Sequence, residues 1–221
     1  MADIFEIKDS VLIRYNGEDS DVAVPEGVKV IGVSAFIGRE RVRNVKLPDG
    51  VERIERNAFL KCGIERIDLP DSVKEISDGA FMDCGNLKEI TIPAGAAIGG
   101  EAFVRTPWLN DKRREDPLVI INGTLIDGRA CRGKVVIPEN VTAISNSAFA
   151  DNTRITDVSF PDGPVEIGEW AFSGCKGLTH ISITNSETSV GTCAFEGCTS
   201  LEASLPDGMT AVAKDAFITF S

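Results

Sequence analysis

Few residues in this chain could carry covalent chemistry. It has one histidine, His180, and six cysteines, Cys62, Cys84, Cys131, Cys175, Cys193 and Cys198, among 221 residues. A cysteine nucleophile needs a base within hydrogen-bond reach, so a thiol enzyme here would have to pair Cys131 or Cys193 with His180. A single imidazole rules out a multi-histidine zinc centre. Asn16, Glu18, Asp19 and Asp21 supply oxygen ligands but lack the EF-hand pattern, which favours a solvated hairpin loop over a calcium site. Asn122-Gly-Thr and Asn140-Val-Thr match glycosylation sequons but read as turn chemistry. No acidic pair is marked out by an apolar pocket, so no catalytic residue, metal or cofactor is expected.

The charge balance narrows the partners. The net charge is −11 and the sequence pI about 4.7, so the chain repels phosphate, and nucleic acids and anionic membranes are poor partners. No run approaches the roughly 18 apolar residues that span a bilayer. The opening Met-Ala-Asp-Ile-Phe-Glu has neither a basic nor an apolar leader region, which predicts a cytoplasmic chain as written. Residues 39–66 hold a local excess of Arg and Lys, which reads as interspersed surface charge.

A repeat must position all of these residues. Ala-Phe recurs at Phe36, Phe59, Phe81, Phe103, Phe149, Phe172, Phe195 and Phe217, at steps of 22 or 23 residues with one step of 46. A proline lies ten residues before the Ala in six of these units, Pro93 lies nine before it in another, and Thr184 replaces it in the seventh. A unit reads Leu-x-x-Ile-x-Ile-Pro-x-x-Val-x-x-Ile-x-x-x-Ala-Phe-x-x-Cys. Apolar residues alternating before the proline make a short half-buried strand, which the proline ends because it has no N–H to donate. Val-x-x-Ile then returns on the opposite side of a coil and brings Ala-Phe inward. One such unit cannot bury its own apolar face, so neighbours must stack, each Phe on the next.

The cysteines sort by this register. Cys62, Cys84, Cys175 and Cys198 lie four residues after the Ala, and Asn152 holds the same place in the fifth unit. A position shared by Cys and Asn suits a buried turn in which a small side chain bonds backbone groups, so these five form a structural ladder of reduced thiols. A longer period of 113 residues aligns Phe5–Pro25 with Leu118–Pro138 and divides the chain into two blocks, residues 1–105 and 118–221. Each is a hairpin followed by four units, and Asn122-Gly123 is a type I′ turn signal. Residues 106–117 read as one short linking helix, with Thr106 as N-cap and Pro107 at the first helical position. Trp108 and Leu109 are placed to dock it. The expected fold is mainly β: a solenoid of eight 22–23-residue units with a parallel sheet, two β-hairpins and one short linking helix, either continuous or gently bent.

On these residues the chain resembles the BspA-like, or Treponema pallidum-type, leucine-rich repeat family. The resemblance covers nearly the whole sequence. Local departures are Thr184 for Pro, Glu187 near the Val position, Ala203 for a strand Ile, and Arg39 and Thr106 at the Cys position. It implies mostly bacterial proteins, often at the cell surface or secreted, associated with adhesion or protein binding and without general catalytic residues.

If the strand residue before each proline points inward, those two and four places before it point out. One outward column holds Asn44, Arg66, Glu89, Lys134, Asp157, His180 and Glu202; the other holds Lys46, Asp68, Thr91, Val136, Ser159, Ser182 and Ser204. Repeat proteins bind ligands on such a concave sheet face. The expected function is therefore non-catalytic binding of a protein or glycan through Asn44, Lys46, Arg66, Asp68, Glu89, Thr91, Lys134, Asp157 and His180. The alternative is a structural module, monomeric or weakly homo-oligomeric, that associates through uncapped solenoid ends.

Overall fold

The structure is a computed structural model that describes residues 4–218. Thr219–Ser221, the last residues read for an uncapped end, and the first three residues of the leader reading lie outside it. The chain forms two compact units, one running through Arg114 and the other starting at Glu115.

The first unit opens with a hairpin, β1 (Phe5–Lys8) and β2 (Val11–Tyr15), followed by β3 (Asp21–Ala23) and β4 (Val30–Ile31). Each later coil adds one three-residue and one two-residue strand: β5 (Asn44–Lys46) and β6 (Arg53–Ile54), β7 (Arg66–Asp68) and β8 (Glu75–Ile76), β9 (Glu89–Thr91) and β10 (Ala97–Ile98). The longer strands form one parallel sheet, β3-β5-β7-β9; the shorter ones extend the hairpin into a second, β1-β2-β4-β6-β8-β10. The second unit repeats the plan with β11 (Val119–Ile121), β12 (Thr124–Asp127), β13 (Gly133–Val136), β14 (Ala143–Ile144), β15 (Ile155–Ser159), β16 (Glu166–Ile167), β17 (His180–Ser182), β18 (Ser189–Val190) and β19 (Glu202–Ser204). Its sheets run β13-β15-β17-β19 and β11-β12-β14-β16-β18.

Between the sheets runs a column of rings. Tyr15, Phe36, Phe59, Phe81 and Phe103 stack in sequence at 4.8–5.6 Å between centroids, with planes within 25° of parallel. In the second unit Phe149, Phe172, Phe195 and Phe217 stack at 4.6–5.1 Å. The Phe turn is itself a hydrogen-bonded ladder, in which the Phe36 N–H donates to the Ala58 carbonyl and Phe59 N–H to Ala80, at 2.7 and 2.8 Å. The turn closes between two left-handed residues, such as Asn57 (φ 57°) and Lys61 (φ 57°) in one coil, or Ser147 (φ 58°) and Asp151 (φ 60°) in another. Gly38, Gly79, Gly174 and Gly197 fill four of these places, but others hold types as different as Lys61, Glu101 and Trp170, so the sequence signals only part of the set.

The two stacks begin differently. Tyr15 covers Phe36 in the first unit, whereas the residue 113 positions later is Gly128. A Cβ there would lie 2.1 Å from the Phe149 ring, so the glycine backbone takes the place of a ring. Helix α1 (Pro107–Glu115) covers the other end of the first stack, where Trp108 tilts over Phe103 at 4.6 Å. Thr106 is its N-cap: its Oγ1 accepts from the Leu109 N–H at 3.1 Å and donates to the Phe103 carbonyl at 2.7 Å. In the seventh coil the buried side chain at the Val position belongs to Thr188, not Glu187, and its Oγ1 accepts from the Val165 N–H at 3.2 Å.

Candidate functional site

The face of β3-β5-β7-β9 is built by alternation. Val45, Ile67 and their counterparts point into the core, so the residues on either side point out. Ladder pairing sets the columns: Asp21 opposite Asn44, Asn44 opposite Arg66, Arg66 opposite Glu89, and Asp68 opposite Thr91. Lys46 pairs with Ala23, so Asp21 and Ala23 are first rungs of both columns. The alternation of Val22 and Val24 before Pro25 already implies both, although the leading Leu of the unit motif is absent there.

This first face is knitted internally. Asn44 donates to Asp21 at 2.6 Å, Arg66 bridges Asp68 at 3.1 Å and Glu89 at 3.3 Å, and Thr91 donates to Asp68 at 2.7 Å. Bonds from Ser20 and Asn44 hold the Asp21 carboxyl below its ordinary range, and the bond from Thr91, with Arg66 beside it, does the same for Asp68. A shallow groove of about 540 Å³ runs over Asn44–Leu47 and Arg66–Pro70.

The second face is looser. Lys134, Asp157, His180 and Glu202 stand in one column, with Val136, Ser159, Ser182 and Ser204 in the other. The Lys134 Nζ lies 3.9 Å from Asp157, and the His180 ring sits between Asp157 and Glu202 at 3.8 Å from each. A groove of about 520 Å³ overlies Asp157–Ser159, His180–Ser182 and Glu202–Ser204. Each of the nine expected contact residues is solvent-exposed except Asp157, which is partly covered. Exposed pairs of this kind contribute about 0–1 kcal/mol, so the face is free to vary without unfolding the coil.

The ladder residues lie away from these faces. Cys84 donates to the Phe59 carbonyl at 3.0 Å, Cys175 to Phe149 and Cys198 to Phe172, each at 3.1 Å. Cys62 reaches Arg39 at 3.5 Å, and Asn152 donates to Gly128 and Cys131 at 3.0 and 3.1 Å. Each bond joins one coil to the coil before it. All six thiols are free.

No nucleophile–base pair forms among the described residues. The Cys193 Sγ faces Asp215 at 4.0 Å, whereas the His180 ring faces carboxylates of its own sheet. Cys131 is buried against the Pro117 carbonyl, and burial, with Asp127 and Asp116 nearby, pushes its thiol up to about 11, opposite to what a nucleophile needs. The Asn16–Asp21 cluster already holds donors within the chain: Asp19 accepts from Tyr15 Oη at 3.1 Å, Asp21 from Asn44, and Glu18 pairs with Arg41 at 2.6 Å. No group of three or more His, Cys, Asp or Glu side chains among the described residues could hold a metal. No helix among the described residues is long and apolar enough to cross a membrane.

Comparison with known proteins agrees with this geometry. A family model described as a BspA type leucine rich repeat region of six copies matches residues 13–124 and 130–221. A leucine-rich repeat protein of T. pallidum is similar in structure, with TM-score 0.50 and 26% identity over 91% of this chain and 90% of that one. A leucine-rich cell surface protein of Faecalibacterium prausnitzii has TM-score 0.48 and 27% identity over 90% of this chain and 50% of its own. The pneumococcal vaccine antigen PcpA has TM-score 0.48 and 20% identity, covering 87% and 58%. No curated protein matches the chain in sequence.

Proposed function

Because the chain belongs to the BspA-type leucine-rich repeat family, we propose that it is a non-catalytic interaction module whose two sheet faces bind a protein or glycan. The observation that supports this is the contrast between columns on the same strands. The inward positions are apolar in every coil and buried in most, with Ile90 and Ile92 half-buried and Ala203 and Leu205 exposed in the last coil of each sheet, while the outward ones change charge, size and hydrogen-bonding type from Asn44 to Arg66 to Glu89 and from Lys134 to Asp157 to His180. The contact set is Asn44, Lys46, Arg66, Asp68, Glu89, Thr91, Lys134, Asp157 and His180, carried by blocks 1–105 and 118–221 on either side of the 106–117 helix. Adhesion is the finer reading that the family resemblance adds.

The test uses the chain as bait against bacterial and host lysates and a glycan array, alongside the charge-reversed variant R66E/E89K/K134E. A species retained by the parent chain and lost by the variant supports the assignment, and equal retention by both refutes it.

A further inference from the structure

β1, like β11 in the second unit, is the outermost strand of its sheet. Its sheet has no strand beyond it among the described residues. Backbone bonding to β2 uses alternate residues: the Asn16 N–H donates to the Ile4 carbonyl at 2.7 Å, and Lys8 pairs with Val11 around the left-handed turn residues Asp9 and Ser10. An antiparallel ladder of this phase directs the N–H and C=O groups of Phe5 and Ile7 away from β2. The one irregularity of the hairpin falls on β2, where Ile13 is skipped between the pairs Glu6–Arg14 and Ile7–Leu12, so β1 itself is regular. Apolar groups lie beside this edge, with Ile4 54% and Ile7 41% exposed.

Edges of this kind are commonly blunted by charged side chains, prolines or a covering segment. Here the charges are Glu6 and Lys8, one on each side of Ile7. The hairpin does not require them, because the corresponding places in β11, 113 residues on, carry Val119 and Ile121. Two such strands laid antiparallel with Ile7 opposite Ile7 bring Glu6 of each copy against Lys8 of the other. Both fall at a non-hydrogen-bonded pair, where side chains come closest. A slip of two residues puts Glu6 against Glu6, which selects the register.

We propose that the outer edge of β1 is a self-association site, pairing antiparallel with β1 of a second copy of this chain about a twofold axis at Ile7. The contact is isologous and closes at a dimer, joining the hairpin sheets of two copies. It leaves both sheet faces open, so it is independent of the binding reading above.

Sedimentation equilibrium on the full chain tests it. The parent chain is expected to show a concentration-dependent monomer–dimer equilibrium. Glu6→Lys and Lys8→Glu each place like charges at both symmetric contacts and should each weaken the dimer about tenfold or more. The double variant E6K/K8E restores complementarity and should return the association to within about threefold of the parent. Circular dichroism on each variant checks that the coil is intact. A strict monomer at every concentration overturns the proposal, and so does a dimer indifferent to the single reversals or one that the double variant does not restore.

Discussion

Cys84 holds its thiol 3.0 Å from the carbonyl of Phe59, a coil away, and the same bond recurs at Cys175 and Cys198. Burial, with Cys62 beside it, pushes the Cys84 thiol well above the ordinary cysteine range, so it stays protonated and donates. Native protein at neutral pH should therefore leave the ladder thiols unmodified by a thiol reagent, with the half-buried Cys193 the most accessible, and denaturant should release all six. Counting labelled thiols by intact mass checks this, and rapid native modification of Cys84 would contradict it. Burial raises the thiols of Cys62 and Cys131 from 9.0 to about 11. The unfolded chain ionises these thiols from about pH 9 and the folded chain only near 11, so their contribution to stability is complete below pH 9 and is lost across that window. Urea midpoints between pH 8 and 11 should fall, and fall less steeply in Cys62→Ala. The cysteine register was legible because Cys and Asn share one repeat position. The carbonyl each would meet was not, since that depends on how far one coil is offset from the next.

At the scale of the element, the Phe turn carries most of the packing. Phe81 and Phe172 are fully buried between two ring neighbours, so replacing either with Ala should cost about 3–5 kcal/mol in denaturant unfolding, and a neutral result would mean the stack does not form. Gly128→Ala puts a methyl into the Phe149 ring and should destabilise the second unit, as in an overpacked core, by about 1–3 kcal/mol. Thr106→Ala removes the helix cap and should cost about 1 kcal/mol. Coil count, strand positions and the Phe column could all be read from the repeat, because each is a fixed spacing of strongly apolar residues. The non-glycine left-handed residues flanking Ala-Phe could not: Ser34, Asn57, Glu101 and Trp170 share a backbone conformation and nothing else. Coil-to-coil hydrogen bonding imposes that conformation whatever the side chain.

For the whole molecule, the groups that hold the coils together and the groups proposed to bind lie on different surfaces. The buried columns and the ring stack hold the coils together, whereas the outward columns of β3-β5-β7-β9 and β13-β15-β17-β19 form only exposed pairs worth little to folding. The direction of each outward side chain could be read from alternation. The hydrogen bonds among them, such as Thr91 to Asp68, needed the registered neighbouring strand, and no residue type on the face names its ligand. The proposed function thus belongs to a surface and not to any one residue. The most direct measurement titrates a partner retained by the parent chain against R66E/E89K/K134E and against Lys61→Glu, which makes the same net charge change on the Phe-turn edge. The face variant should lose about tenfold or more in affinity with its melting temperature unchanged, while Lys61→Glu binds as the parent does. Equal affinity for all three chains would contradict the sheet-face assignment.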